Sequence, residues 1–295
     1  MLSILIPIYN QDVRPLVYTL AKQCQKLDIT YQILCFDDYS DEKYKEMNKE
    51  LAFKFNINYT EMSENLGRSR IRNWLGNAAY HDYLLFLDGD STVKNKNFIK
   101  NYVGQLQPSS IISGGRIYSK KPPQGYKKLL HWRYGTQRES LKARKRNKAP
   151  YLNFHSNNFI IPAKVFAQHR FDEAIKGYGY EDLLYAVDLS KSRIAITHID
   201  NPVIHDGLEM NNIFLQKNQR ATENLALLSQ NDQIKHTRLT DLYDRMKYYY
   251  ILPVFMKLYA KYEEKIEKNL HSKDPSVLYF NLWKMNILAK ALKNQ

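Results

Sequence analysis

Residues 84–91 read Leu84-Leu85-Phe86-Leu87-Asp88-Gly89-Asp90-Ser91, four apolar side chains followed at once by two carboxylates around a glycine. A short apolar run with so abrupt a polar end has the length of a strand buried on both faces, leaving the core at its carboxyl end. With Tyr83 in front it is the last of four such runs; the others are Ser3 to Tyr9, Tyr31 to Phe36 and Ile57 to Thr60. Between them, Asp12 to Leu27, Asp41 to Phe55 and Asn65 to Tyr80 each open on Asp or Asn, which cap helix N-termini, and carry apolar residues at three- and four-residue spacing. The alternation predicts an α/β chain with a largely parallel sheet and right-handed crossovers. Ligands of such sheets bind beyond the carboxyl ends of the strands. There the sequence places Pro7-Ile8-Tyr9-Asn10, Asp37-Asp38-Tyr39-Ser40, Asn65-Leu66-Gly67-Arg68 and Asp88-Gly89-Asp90.

Toward the C-terminus, residues 116–148 hold 12 Lys or Arg against one acid, Glu139, a local charge of 12 − 1 = +11. With Tyr118, Tyr126, Trp132, Tyr134 and the turn Pro122-Pro123-Gln124-Gly125, this stretch reads as a long loop with a short helix. His155 to Pro162 then reads as a strand and Tyr180 to Ser190 as a helix, and the chain is helical beyond about residue 208. Phe255, Leu258, Tyr262, Ile266 and Leu270 make one apolar stripe that calls for covering; Leu278, Leu282, Met285, Ala289 and Leu292 make another. Pro253 is expected to kink or divide the helix before it. The division expected is 1–207 for the α/β domain and 208–295 for a helical extension.

Of 295 residues, Lys and Arg number 44 and Asp and Glu 30, a formal charge of +14 that suits anionic partners. Cys24 and Cys35 make neither a disulfide framework nor a metal pattern, which excludes a stapled miniprotein. No run approaches the roughly 18 apolar residues of a membrane-spanning helix, and the opening lacks a basic n-region and a cleavage site. A cytoplasmic protein, with peripheral contact to the inner membrane face through residues 116–148, is expected.

Asp88 and Asp90 after a buried strand can both reach one hard cation that also holds a diphosphate; the plain alternative is an Asp-Gly turn. In GYGYED (residues 177–182) two glycines allow close backbone approach before a Glu-Asp pair opens a helix. That pair either caps the helix or offers a general base to a sugar hydroxyl. His205, near a strand end, is either structural or a third metal ligand.

Taken in order, ILIPIYN, CFDDYSD, ENLGRSRIRN, LFLDGDS, SNNFIIP, FDE, GYGYED and VIHDG resemble the family 2 glycosyltransferases of the GT-A fold, over roughly residues 1–207. GYGYED is similar to the Gly-Glu-Asp signature of enzymes such as bacterial chondroitin polymerase and the β-1,4-galactosyltransferases. The resemblance implies a Rossmann-like central sheet, a nucleotide-sugar donor (a UDP-sugar), Mn²⁺ or Mg²⁺ as cofactor, inversion at the sugar carbon, and a saccharide or lipid-linked acceptor. It implies Pro7, Tyr9 and Asn10 at the edge of the nucleotide pocket, Asp37 on the base with Asp38 beside it, and Arg68 or Arg72 against the diphosphate. It further implies Asp88 and Gly89 at the nucleotide, with Asp88, Asp90 and His205 at the metal. Asp182 takes the role of catalytic base, and Glu181, Gly179, Tyr180 and Asn158 that of sugar contacts; Asn157 and Asn158 fall where the resemblance places a strand beside the donor sugar, with buried structural amides the equal alternative.

The chain departs from the commonest pattern at Tyr39, where Gly often follows the acids, and at Tyr180, where the closest signature has Gly. The Gln-X-X-Arg-Trp motif of processive polymerases is missing, which favours transfer of a single sugar. A nucleic-acid-binding protein would explain the basic charge and leave the ordered carboxylates unexplained. A sugar nucleotidyltransferase would need a Gly-rich basic loop after the first strand, and Tyr9-Asn10-Gln11-Asp12 is not one.

Overall fold

The computed structural model describes residues 1–174, 179–234 and 236–293. Its first ninety residues alternate as read: β1 (Leu2–Ile8), α1 (Arg14–Lys26), β2 (Tyr31–Asp37), α2 (Glu42–Asn48), β3 (Ile57–Glu61), α3 (Gly67–Ala78) and β4 (Tyr83–Leu87). The helix expected over 41–55 is shorter, because after Asn48 the chain tightens into a 3-10 turn over Lys49–Phe53. There follow β5 (Ser91–Thr92), α4 (Phe98–Val103), β6 (Ile111–Ser113), β7 (Arg116–Ile117), α5 (Leu129–Tyr134), α6 (Ala143–Arg146), β8 (Asn158–Pro162), α7 (Ala163–Gln168), α8 (Glu181–Lys191), β9 (Ile196–His198) and β10 (Val203–His205). Four helices end the chain: α9 (Asn211–Gln230), α10 (Arg238–Tyr248), α11 (Leu252–Leu270) and α12 (Val277–Lys293).

The chain divides into two compact units, one of Met1–Tyr118, Ser140–Ile175 and Glu181–Gly207, the other of Ser119–Glu139, Lys176–Tyr180 and Leu208–Gln295. The second unit thus takes in two insertions besides the C-terminal helices.

The first unit is built on a seven-stranded sheet in the order β3-β2-β1-β4-β8-β6-β9. The first four strands are parallel, β8 runs antiparallel to both its neighbours, and β6 is parallel to β9. Alternation along β1 explains how the sheet is covered on both faces. Leu2, Ile4, Ile6 and Ile8 join α1 and α4 in one core, while Leu5 joins Leu34, Phe86, Ile71 and Leu75 in the other. A second small sheet, β5-β10-β7, pairs His205 with Ser91 across antiparallel strands.

The same unit holds a buried arginine whose hydrogen bonds run to carbonyls and an imidazole. Arg146, at the end of α6, donates to the carbonyls of Leu141, Ser113, Gly114 and Ile199, and its Nη1 lies 2.8 Å from Nδ1 of His198. His198 Nε2 lies 2.9 Å from the Pro150 carbonyl, so the neutral ring is satisfied on both sides, and burial pushes its pKa down to about 4.

In the second unit α12 packs on α9 and α11, with α5 laid against α9. Its core gathers Leu130, Phe214, Leu215, Tyr259, Ile266, Leu270, Phe280 and Trp283. The segment 116–148, expected as a long loop with a short helix, carries two short helices, α5 and α6. Its middle is held to the helices, with His131 stacked on Phe214 at 4.3 Å and Leu130 N donating to Asn211 Oδ1 at 3.1 Å. Pro253 sits in the first turn of α11, where its missing N–H costs nothing, after a break following Tyr248. The stripe expected on α11 is corrected as well: Tyr259, Ile266 and Leu270 are buried, whereas Leu258 and Tyr262 are exposed. No described helix is long and apolar enough to cross a membrane.

Candidate active site

The carboxyl ends of β1, β2 and β4 hold most of the residues singled out by sequence, and the backbone explains how each is presented. Asp37 is fully buried; its Oδ1 accepts from Ser40 N at 2.7 Å and its Oδ2 from the Tyr59 hydroxyl at 3.4 Å. Asp38 turns the other way. Its two oxygens accept from Leu66 N at 2.6 Å and Gly67 N at 3.0 Å, so it caps α3, and burial raises its pKa despite those bonds. Asn10, at φ 53°, donates its N–H to Ser40 Oγ and accepts from Asp41 N, tying the β1 end to the β2 end. Tyr9 and Tyr39 stand exposed on those two ends. Gly89 backs onto the Pro7 carbonyl so closely that a Cβ would lie 3.1 Å from its oxygen.

Asp88 and Asp90 point to different partners. Asp88 Oδ1 accepts from Arg72 Nη2 at 2.5 Å. Arg72 is itself buried, donating through Nη1 to the Arg68 carbonyl and lying over the Phe171 ring. Asp90 meets His205, with Oδ1 and Nδ1 3.2 Å apart. That is an ion-pair contact whose angle leaves Oδ1 buried without an aligned hydrogen-bond donor. Burial works to raise the Asp90 pKa, but His205, Arg68 and Arg116 outweigh it and hold the carboxylate below its ordinary value. Tyr118 packs edge-on against His205, and Gly207 leaves room for Asp90, since a Cβ there would stand 2.3 Å from Oδ2.

Arg68 links this group to α8. Its Nη1 donates to Glu181 Oε1 at 2.7 Å, and its charge also acts on Asp90. The next residue, Asp182, accepts from Ser156 Oγ at 2.5 Å through Oδ1, while Oδ2 lies 3.9 Å from His155 Nδ1. Guanidinium and carboxylates are thus held at one end of the sheet, an arrangement that can neutralise a diphosphate and accept a proton.

The other expected sugar contacts, Asn158, Gly179 and Tyr180, stand in two settings. Asn158 is fully buried, with its amide spent on Tyr102, Gly115 and Asn201, so its side chain braces the interior of the unit. Its neighbour Asn157 is 3% exposed, and neither polar atom of its amide has a hydrogen-bond partner, while its carbonyl accepts from Asp88 N at 3.1 Å. A buried amide left unsatisfied beside a strand end is costly and calls for a ligand or water. Gly179 and Tyr180 belong to the second unit, where Asn224 Nδ2 donates to the Gly179 carbonyl. Tyr180 has φ 70°, a backbone suited to the Gly that its position resembles. Gly177 and Tyr178 of the same motif lie outside the described residues.

Ser156 and Arg116 stand beside these residues, Ser156 on Asp182 and Arg116 acting on Asp90, and were not assigned roles from sequence, whereas Asn157 was expected with Asn158 beside the donor sugar. Ser156 opens the SNNFIIP run, so its position beside a strand was the signal; Arg116 was hidden among the basic residues around it. Among the described residues no cluster of three or more His, Cys, Asp or Glu is placed to hold a metal. The donor set is smaller, one carboxylate and one imidazole. Asp90 Oδ1 without an aligned donor fits a cation that takes its remaining ligands from substrate phosphates and water.

The family model described as glycosyl transferase family 2 matches residues 3–169, more than half of the chain. Among solved structures, the chain resembles the mannosyltransferase PcManGT from Pyrobaculum calidifontis in complex with GDP-Man and Mn²⁺, at a TM-score of 0.60 and 14% identity over 99% of this chain and 86% of that one. It also resembles residues 1–349 of S. aureus TarS, at 0.51 and 16% over 99% and 90%, and the same fragment with UDP-GlcNAc, at 0.52 and 15%. Against the longer TarS chain the match spans 55% of its length. At these identities the likeness is one of fold. No curated protein matches the chain. With the family model spanning the strands from β1 to β8, the chain belongs to the family 2 glycosyltransferases and is an α/β glycosyltransferase built on the GT-A sheet.

Proposed function

We propose that the protein is a metal-dependent, inverting transferase that moves a sugar from a UDP-sugar to a hydroxyl of a saccharide or lipid-linked acceptor in surface polysaccharide or glycoconjugate synthesis. The observation that carries this reading is Arg68, paired with Glu181 and acting on Asp90, which joins the strand-end acids to the helix bearing Asp182.

In the reaction, Oδ2 of Asp182 takes the proton of the acceptor hydroxyl while Ser156 holds Oδ1. The acceptor oxygen attacks the anomeric carbon from the face opposite the diphosphate. The bond from that carbon to the phosphate oxygen breaks, and its electron pair leaves with the nucleoside diphosphate. Displacement in one step inverts the sugar and needs no covalent enzyme intermediate. Arg68, half exposed where Arg72 is buried, offsets the diphosphate charge, and Arg72 positions Asp88. Asp37 faces the base, with Pro7, Tyr9, Asn10 and Gly89 bordering it, and Asn157 supplies the amide that meets the donor sugar in place of Asn158. Glu181 orients the sugar through its pair with Arg68. Asp90 and His205 would hold Mn²⁺ or Mg²⁺, which supplies charge stabilisation to the departing diphosphate. The basic residues of 116–148 suit an anionic acceptor, such as a lipid-linked diphosphate saccharide.

Isothermal titration with UDP, UDP-sugars and GDP-mannose, each with Mn²⁺ and with chelator, tests the reading. The expected result is metal-dependent binding of one UDP-sugar and weaker binding of UDP. Preference for GDP-mannose would overturn the choice of donor, and the lack of any metal-dependent nucleotide binding would overturn the mechanism.

A further inference from the structure

The second unit carries an apolar surface that no part of the proposed reaction uses. At the turn from α10 to α11 three consecutive tyrosines, Tyr248, Tyr249 and Tyr250, are 75%, 65% and 85% exposed. The line continues along α11 through Ile251, Val254, Leu258 and Tyr262, all exposed and spaced three or four residues apart, hence on one face. The helix is already anchored by a different line, Tyr259, Ile266 and Leu270 in the core. So α11 has two apolar faces, and only one is covered by the protein. An uncovered stripe of this length on a stable helix marks an interaction surface.

Between Asp244 and Glu263 the charge along the stripe is of one sign. From Arg245 to Tyr262 the chain has four cations, Arg245, Lys247, Lys257 and Lys261, and no acid. Lys261 Nζ lies over the Tyr262 ring, 5.7 Å from its centroid, so a cation stands directly on the apolar stripe. Tyrosine bodies with polar tips, aliphatic side chains behind them and lysines at the margin match the headgroup layer of a bilayer. A second copy of the chain fits less well, because a twofold contact would press four cations against four. Since no described helix is long and apolar enough to cross a membrane, the contact is interfacial.

We propose that the α10–α11 turn and the exposed face of α11 form a docking surface for an anionic phospholipid bilayer. The surface seats the tyrosines among the headgroups, with Arg245, Lys247, Lys257 and Lys261 against the lipid phosphates. This does not rest on the transferase reading, because lipid binding is measured without donor, acceptor or metal. It places the membrane contact outside the basic segment 116–148.

The test is flotation of the full chain with phosphatidylcholine vesicles, with and without phosphatidylglycerol, alongside size-exclusion chromatography. The chain is expected to float with the anionic vesicles and to be released by high salt. Y248S/Y250S/L258S lowers the bound fraction at least about fivefold. K257E/K261E does the same and serves as the second variant should the first fail to fold by circular dichroism. K120E/K121E/K127E/K128E keeps binding within about twofold. Failure of the wild-type chain to float, unchanged flotation of both surface variants, or loss of flotation only in the 120–128 variant would each overturn the proposal. So would a wild-type dimer that Y248S/Y250S/L258S dissociates, since the face would then belong to a second copy.

Discussion

Asp182→Asn separates a base from a helix cap. In the structure Oδ1 of Asp182 is held by Ser156 at 2.5 Å, which leaves Oδ2 to receive the acceptor proton. Asparagine keeps an acceptor for Ser156 and loses the basic oxygen. The fold loses little: the charge at the start of α8 is worth about 0.3–1 kcal/mol, and the Ser156 bond survives. Removing a general base costs about 10²–10⁴ in rate, or about 3–5 kcal/mol of barrier. Transfer is therefore expected to fall at least about a hundredfold, with donor affinity unchanged. The measurements are release of nucleoside diphosphate in the presence of acceptor, calorimetric binding of the donor, and the thermal midpoint. A variant whose turnover stays within about threefold of wild type would remove Asp182 from the chemistry and leave it as a cap. A matching loss of donor binding would make it a sugar contact instead.

Three other outcomes are expected. Asp38→Ala strips both acceptors from the start of α3 and should cost about 2 kcal/mol in urea unfolding, with UDP binding retained; loss of binding at unchanged stability would return Asp38 to the nucleotide. Gly207→Ala places a methyl against Asp90 Oδ2 and should weaken metal-dependent donor binding about tenfold, while metal-free UDP binding is unaffected. His198 is held neutral in the fold, with a pKa near 4 against an ordinary 6.5. Between those values the unfolded chain takes up a proton that the folded chain refuses, so stability falls as pH drops through this window, by about 3 kcal/mol in full. Denaturant unfolding of wild type and His198→Gln at pH 7 and pH 4.5 checks this, because the variant should lack that part of the loss.

The four parallel strands were legible because each is a run whose neighbours change period from two to about 3.6, a local signal that needs no partner. The acids at their ends were legible for the same reason, since a strand end is a position in sequence as much as in space. What each acid does was not. Asp37 and Asp38 are adjacent and chemically alike, yet one is buried against Ser40 and the other caps α3, a choice made when α3 crosses over the sheet. Asn157 and Asn158 divide in the same way, because Asn158 opens β8 and meets Tyr102, Gly115 and Asn201, while Asn157 stands in the turn before the strand with none of them on its amide.

By itself the sequence determined that the chain would be an α/β protein with carboxylates at one end of its sheet, because local periodicity and capping chemistry are written residue by residue. The tertiary structure alone decided the rest. It chose Arg68 over Arg72 as the accessible guanidinium, it brought His205 to Asp90 through the pairing of β10 with β5, and it left the second face of α11 bare. Each of these depends on which surfaces meet when distant segments pack, and periodicity records that a helix has an apolar face without recording what covers it.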